Sequence, residues 1–270
     1  MLTQAEKGAA FRALHEREGA FIIPNPWDVG TARIMAHLGF EALASTSAGY
    51  AFSLGLQDNR VGRDRMMRHV AELSAATDLP VSADLENGFG DDPETVAETI
   101  RQAAAAGLAG CSIEDSTGRA DDPIYAFEHA VDRIRAAAEV ARSLPFTFTL
   151  TSRAENFLVG RDDIADTIRR LQAYQEAGAD VLYAPGLSDR ADLAAVISSV
   201  DRPVNALAGF GLNFNELSEL GVKRVSVGGS LTRAAYGAVI RAGREMLDHG
   251  TFNFSDDAVP FRELSNMFPD

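Results

Sequence analysis

Eight short apolar runs recur along the chain, and each is followed by a longer segment in which Ala, Leu, Ile and Arg return at helical spacing. The runs are FIIPNP from residue 21, ALASTS from 42, PVSADLE from 80, GCSIEDS from 110, FTFTLTSRAE from 146, VLYAPG from 181, PVNALAG from 203 and RVSVGG from 224. Apolar runs this short read as buried strands. Segments such as DVGTARIMAHLGF, PETVAETIRQAAAAG and DDIADTIRRLQAYQEAGA read as helices, several opening on Asp or Asn caps. Strands alternating with helices pair in parallel. Eight such units in 270 residues predict an α/β fold, a closed (β/α)8 barrel of TIM type, with an open doubly wound sheet as the alternative. Residues 1–270 are expected to form one barrel domain. Its first 19 residues read as a helix capping the bottom, and NFSDDAVPFRELSNMFPD as a polar tail.

In such barrels chemistry gathers where strands run into helices, and here the polar residues stand at those ends. Strand 2 ends in Ser45, Thr46 and Ser47 before a long loop with Asp58; strand 3 ends in Asp84 and Glu86, strand 4 in Glu114 and Asp115, strand 5 in Arg153 and Glu155, and strand 7 in Asn205. Alternation along a strand predicts that Asp84 and Glu86 share one face. Two carboxylates side by side repel unless a cation compensates. Asp58, Asp84, Glu86 and Glu114 are expected to surround one point at the rim. His15, His37, His69, His129 and His249 all fall in helical stretches or at their ends. Oxygen ligands without imidazole or thiolate favour a hard cation, Mg2+ or Mn2+. Asp115 is read as an ordinary solvated or capping carboxylate.

Arg153 interrupts an apolar strand, as an arginine that grips a carboxylate or phosphate would; it could instead neutralise Glu114 or Glu155. The stretch STSAG from Ser45 to Gly49 offers hydroxyls and amides for a carboxylate or enolate oxygen, or is a small-residue turn. The GGS at 228–230 resembles the phosphate cradle of many barrels on three residues only.

Composition narrows the function. With 39 acidic and 25 basic residues the formal charge is -14, which argues against nucleic acid and anionic membrane partners. No apolar stretch suits a membrane span or signal peptide, and the expectation is a cytoplasmic protein. The single cysteine, Cys111, excludes an intrachain disulfide or a thiolate zinc cluster, and it reads as a core residue. Lysine occurs only at positions 7 and 223, which leaves Schiff-base chemistry almost without a candidate.

Taken together, STSAGYAFSLGLQD, SADLENGFGD, SIEDS and TSRAENF resemble the isocitrate lyase and phosphoenolpyruvate mutase superfamily, in the family's order and over most of the chain. The resemblance implies Mg2+, a small 2-oxo acid substrate, and C–C or P–C bond chemistry through a pyruvate-type enolate. It also implies an eighth helix exchanged between subunits, in a dimer or dimer of dimers. By the same resemblance Asp84 matches the direct metal ligand, and Asp58, Glu86 and Glu114 match groups that hold the metal's waters. Glu86 replaces an aspartate common there. Arg153 matches the arginine that binds the substrate carboxylate; Ser45, Thr46 and Ser47 cover the segment that grips the 2-oxo acid head. Arg153, Asp58 and Glu114 stand as catalytic candidates, with Asn205 and Arg119 added as substrate-binding ones. The loop after strand 4, TGRADDPIYAF, lacks the Lys-x-Cys-Gly of the tricarboxylic acid lyases. That disfavours their cysteine route and favours C–C cleavage or decarboxylation of an oxaloacetate-like acid. Phosphonopyruvate-type mutase or hydrolase chemistry is the alternative, and a catalytically degenerate metabolite-binding barrel a third reading.

Overall fold

In the computed structural model, residues 2–209 and 211–268 are described. The eight apolar runs become eight strands: β1 (Phe21–Ile23), β2 (Leu43–Ala44), β3 (Val81–Asp84), β4 (Gly110–Glu114), β5 (Thr149–Arg153), β6 (Val181–Tyr183), β7 (Val204–Leu207) and β8 (Arg224–Ser226). All registered pairs are parallel, in the order β1-β8-β7-β6-β5-β4-β3-β2. The β1–β2 seam is bridged by the Ala44 amide, which donates to the Pro24 carbonyl at 3.0 Å. The result is a nearly closed (β/α)8 barrel of TIM type.

The helices are α1 (Gln4–Glu16), α2 (Val29–His37), α3 (Ser47–Ser53), α4 (Arg63–Ala76), α5 (Pro93–Ala105), α6 (Phe127–Ser143), α7 (Ile164–Ala177), α8 (Arg190–Ser198), α9 (Phe214–Glu219), α10 (Ser230–His249) and α11 (Phe261–Asn266). Capping boxes fix several starts: Thr3 with Glu6, Asp28 with Thr31, and Asn213 with Glu216. The main core lies between the strands and the encircling helices, around Leu43, Leu73, Ile100, Ile113, Ile134 and Leu171. A separate cluster of Phe11, Leu14, Phe21, Ile23, Ala42 and Ala109 closes the barrel's lower end under α1. There α1 presses so close that a Cβ on Gly8 would stand 2.1 Å from the Thr147 carbonyl oxygen. Only glycine fits at that crossing.

Two expectations change. The stretch STSAG opens a helix, α3, with the Thr46 side chain as its N-cap, accepting from the Gly49 amide at 3.1 Å. The C-terminal stretch contains a 3-10 turn (Asn253–Asp257) and α11, and it exposes Phe252, Phe254, Val259 and Phe261, so it is less a polar tail than an apolar-faced one. The preceding α10 is 20 residues long, yet Thr232 is its one buried residue, while Val239, Ile240, Met246 and Leu247 face solvent. An amphipathic helix with its apolar side in water is incomplete as it stands. No helix among the described residues is long and apolar enough to cross a membrane.

Candidate active site

Strand register assembles the site. Glu114 pairs with Arg153, Arg153 with Tyr183, Tyr183 with Asn205 and Asn205 with Arg224, so five residues on β4 to β8 stand side by side. Partners across a parallel ladder point to the same face, here the lumen. Together with Asp84, Ser45 and Ser47 they line a cavity of about 410 Å³ at the strands' C-terminal ends.

Arg153 is the hub. Its Nη1 lies 3.1 Å from Asp84 Oδ1, Nη2 lies 3.2 Å from Glu114 Oε2, and Nε lies 2.7 Å from Glu155 Oε1. Both neutralising roles foreseen for this arginine are therefore realised together, with Asp84 as a third partner. On the other side of Asp84, the Ser47 amide and hydroxyl donate to Oδ2 at 3.1 and 2.8 Å, and Ser45 Oγ accepts from the Asp84 amide at 2.9 Å. The three small hydroxyl residues thus build the aspartate's cradle and the start of α3.

Acidity tracks the crowding of charge. Burial first, and then neighbouring carboxylates, push the carboxyl of Glu114 well above its ordinary range against the pull of Arg153. Glu86 is pushed up to about 8 by burial and by Asp84 and Asp58. Asp58, on an exposed loop at the rim, is also raised, by the protein around it and by Asp84. Protons stay on carboxyls where cations are too few.

Glu86 departs from the expectation that it shares a strand face with Asp84. Strand β3 ends at Asp84, and Glu86 adopts φ 51°, in the left-handed region that a side-chain-bearing residue rarely enters. The turn sends its side chain beside the main cavity into a second hollow of about 870 Å³, shared with Asp58. There Glu86 Oε1 is buried without a hydrogen-bond partner among the described residues. Among the described residues no three carboxylate, imidazole or thiolate groups form a ready-made metal cage. The nearby donors are carboxylate oxygens without imidazole or thiolate, the type that a hard cation takes.

Asp115 is corrected outright. It is buried, not solvated, and accepts from the Glu155 amide at 2.8 Å, Arg170 Nη1 at 3.0 Å and the Tyr174 hydroxyl at 2.5 Å. It is a strut that pins the β4 and β5 ends to α7. Arg119 stands outside the cavity: its guanidinium pairs with Asp91 at 3.0 Å and Asp122 at 3.5 Å. Tyr125 joins the same latch by donating to Asp91 at 2.5 Å. The loop after β4 is therefore docked at its far end, where Ile124 and Tyr125 are buried, while residues 118–122 stay exposed. The GGS cradle is occupied from within, since Asn25 Oδ1 accepts the Val227 and Gly228 amides at 2.8 and 2.9 Å.

Asn205 takes its place in the lumen, with Nδ2 donating to Ser226 Oγ at 3.0 Å. Tyr183 and Arg224 belong to the cavity and escaped the sequence reading. Tyr183 lies in an apolar run, with Arg153 5.4 Å from its ring centre; Arg224 begins a strand beside Lys223, away from the strand ends where barrel chemistry gathers. The inward parity of β8 was the available signal.

A TIM-type barrel with acidic strand ends around one central arginine is here that of a lyase or mutase, the class that its relatives define. The chain matches the phosphoenolpyruvate phosphomutase family over residues 11–247 and belongs to it, within the superfamily that also holds the isocitrate lyases. It is 32% identical over 207 residues to 2-methylisocitrate lyase of Escherichia coli K12, covering 74% of this chain and 69% of that one. It is 31% identical over 252 residues to oxaloacetate decarboxylase of Pseudomonas aeruginosa, covering 90% and 84%. A crystal structure of a candidate lyase/mutase from Burkholderia cenocepacia J2315 superposes with a TM-score of 0.96 at 62% identity, covering 99% and 97%.

Proposed function

We propose that this protein is a Mg2+-dependent lyase of a small 2-oxo or 2-hydroxy acid: from a 2-oxo acid, with an oxaloacetate-like acid as substrate, loss of the C3 substituent leaves a pyruvate-type enolate, while a 2-hydroxy acid would release its C2 as the 2-oxo product and leave the enolate on the other fragment. The observation that supports it most is a deficit of positive charge. Among the described residues Asp58, Asp84, Glu86, Glu114 and Glu155 act on one cation, Arg153, and Glu86 Oε1 has no hydrogen-bond partner. A divalent ion would offset that deficit. In this reading Asp84 holds it directly and Asp58, Glu86 and Glu114 hold its waters; Mn2+ would fit the same oxygen donors.

Bound there, Mg2+ would polarise the 2-oxo oxygen as a Lewis acid. Arg153 keeps N–H groups beyond those its three carboxylates use, and with the Ser45–Ser47 segment it orients the substrate carboxylate. Of the loop after β4, Ser116 lines the cavity, and closure of this loop over the site would limit water there. Decarboxylation or C–C cleavage of an oxaloacetate-like acid asks for no cysteine base, in keeping with the relative that is named an oxaloacetate decarboxylase. Phosphonopyruvate chemistry is less supported, because Arg119, the loop's cation, turns to Asp91. A degenerate barrel would keep this acidic cluster at an electrostatic cost with no return.

The reading extends to assembly. The unsatisfied face of α10 fits a second copy of this chain, with the eighth helix exchanged between subunits of a cytoplasmic dimer or dimer of dimers. The test of function is a screen of purified protein against 2-oxo acids, phosphonopyruvate and malate derivatives, with Mg2+ or EDTA, following pyruvate. Metal-dependent pyruvate release from a 2-oxo or 2-hydroxy dicarboxylic acid is expected. Release from phosphonopyruvate alone, or from nothing, would overturn it.

A further inference from the structure

One charged group in the cavity has no part in the mechanism above. Arg224 enters the lumen from the start of β8, and its Nη2 reaches Thr151 Oγ1 at 3.1 Å, two residues before Arg153 on β5. The guanidinium thus lies one layer below Arg153, in the wall of the same cavity. Its Nε donates to Asn205 Oδ1 at 2.8 Å, and its Nη1 is buried with no hydrogen-bond partner among the described residues. Arg224 is only 5% exposed, and both groups that accept from it are neutral.

The contrast with Arg153 is sharp. Arg153 has three carboxylates on its three nitrogens. Arg224 has none: among the described residues no carboxylate forms an ion pair with it. Below it stands His15, whose pKa is driven down to about 3 by burial and by the Arg224 charge. Burial lowers the Arg224 guanidinium itself to about 10, which leaves it charged at neutral pH. An unpaired charge out of water is costly, and a chain that keeps one inside its site is in want of an anion.

The hydrogen bonds give this cation a direction. Arginine can only donate, so Asn205 must turn Oδ1 to it and Nδ2 to Ser226 Oγ. The Ser226 hydroxyl is then free to donate in turn, and it acts on the phenol of Tyr183. One fixed cation thereby sets the sense of the Asn205 amide and leaves the Ser226 hydroxyl to donate.

We propose that Arg224 is a second anion-binding residue of this pocket, drawing the substrate's carboxylate from the lumen side with Asn205 as the residue that positions its guanidinium. The inference rests on the reading that the ligand is a small organic acid. It assigns to Arg224 the attraction that Arg153, already shared among carboxylates, supplies only in part.

Oxalate is the probe, titrated calorimetrically at saturating Mg2+ into the wild type, Arg224→Met, Arg224→Lys and Asn205→Asp. Arg224→Met is expected to weaken oxalate binding at least tenfold, about 1.4 kcal/mol, while Mg2+ binding without oxalate stays within about twofold of the wild type. Arg224→Lys should recover part of the loss. Asn205→Asp sets a carboxylate where Oδ1 now lies 2.8 Å from Nε, so it neutralises the guanidinium without removing it and should weaken oxalate comparably. Should Arg224→Met fail to fold, Arg224→Lys and Asn205→Asp decide the matter. Unchanged oxalate affinity in Asn205→Asp, or in folded Arg224→Met, would reduce Arg224 to a strut and overturn the proposal, as would a wild type that does not bind oxalate. Oxalate binding that depends on Arg224 but not on Mg2+, with no turnover of any 2-oxo acid, would sink the proposed function and leave this inference standing.

Discussion

Glu86 links protons, cation and stability, and its effect can be worked out. Its pKa rises from an ordinary 4.5 to about 8 because its carboxyl is buried beside Asp84 and Asp58. Between those values the native state holds a proton that the unfolded chain has released, so this group's contribution to stability is full below pH 4.5 and is lost as pH climbs through about 8. The whole gap is worth at most about 5 kcal/mol, at about 1.4 kcal/mol per pH unit. About 2 kcal/mol of it falls between roughly pH 6.5 and 8.5. Buried His15 and His69, lowered to about 3 and 4, act in the opposite sense: they add stability as pH rises to their unfolded value near 6.5. The clean quantity is therefore the difference between wild type and Glu86→Gln, measured by denaturant unfolding in EDTA from pH 6.5 to 9. Glu86→Gln should gain about 2 kcal/mol on the wild type across that range, and Mg2+ should abolish most of the gain by stabilising the ionised carboxylate. Apparent Mg2+ affinity of the wild type should climb up to tenfold per pH unit below about 8. Parallel stability curves for the two proteins, with Mg2+ affinity flat over the same range, would refute the reasoning.

Three further outcomes follow from the packing. Cys111 is fully buried in the barrel core, with its thiol pushed far above the ordinary range by burial; Cys111→Ser should keep turnover while costing about 1–3 kcal/mol of stability, and loss of turnover in folded protein would reopen a cysteine mechanism. The latch of Asp91 with Arg119 and Tyr125 should make Asp91→Ala raise amide exchange in residues 116–126, with Mg2+ and oxalate restoring protection there; exchange equal to wild type would show that the latch does not hold the loop. On α10, Val239→Glu combined with Leu247→Glu should drive the protein toward monomer in sedimentation, since both side chains lie on the exposed apolar face; an unchanged mass would place the subunit contact elsewhere.

The barrel was legible because its cause is local: apolar runs too short for helices alternate with helical periods, and parity then decides which residues face the lumen. Arg153 and Glu114 were visible for the same reason, as charges at the ends of apolar strands. Glu86 was misplaced because period-two reasoning extends a strand that in fact ends at Asp84, and nothing in the residue type announces a left-handed turn. Asp115 looked like a solvent carboxylate because its partners, Arg170 and Tyr174, come from α7, about 55 residues on. Arg224 was hidden by position: a cation at the lower end of a strand reads as solvent-facing until register shows it beside Asn205. STSAG was read as a gripping segment or a small-residue turn, and the helix start that the Thr46 cap makes of it went unread.

The central claim is that the acidic strand ends hold a divalent cation against the oxygens of a small acid. It is tested most directly by electron paramagnetic resonance of Mn2+ bound to the protein, with oxalate unlabelled or enriched in oxygen-17, in wild type and Asp84→Asn. The account predicts a protein-bound Mn2+ signal that sharpens or shifts on adding oxalate and broadens with the labelled oxygens, together with loss of bound Mn2+ in Asp84→Asn. Oxalate binding that leaves the Mn2+ signal untouched, or full Mn2+ binding in Asp84→Asn, would contradict it.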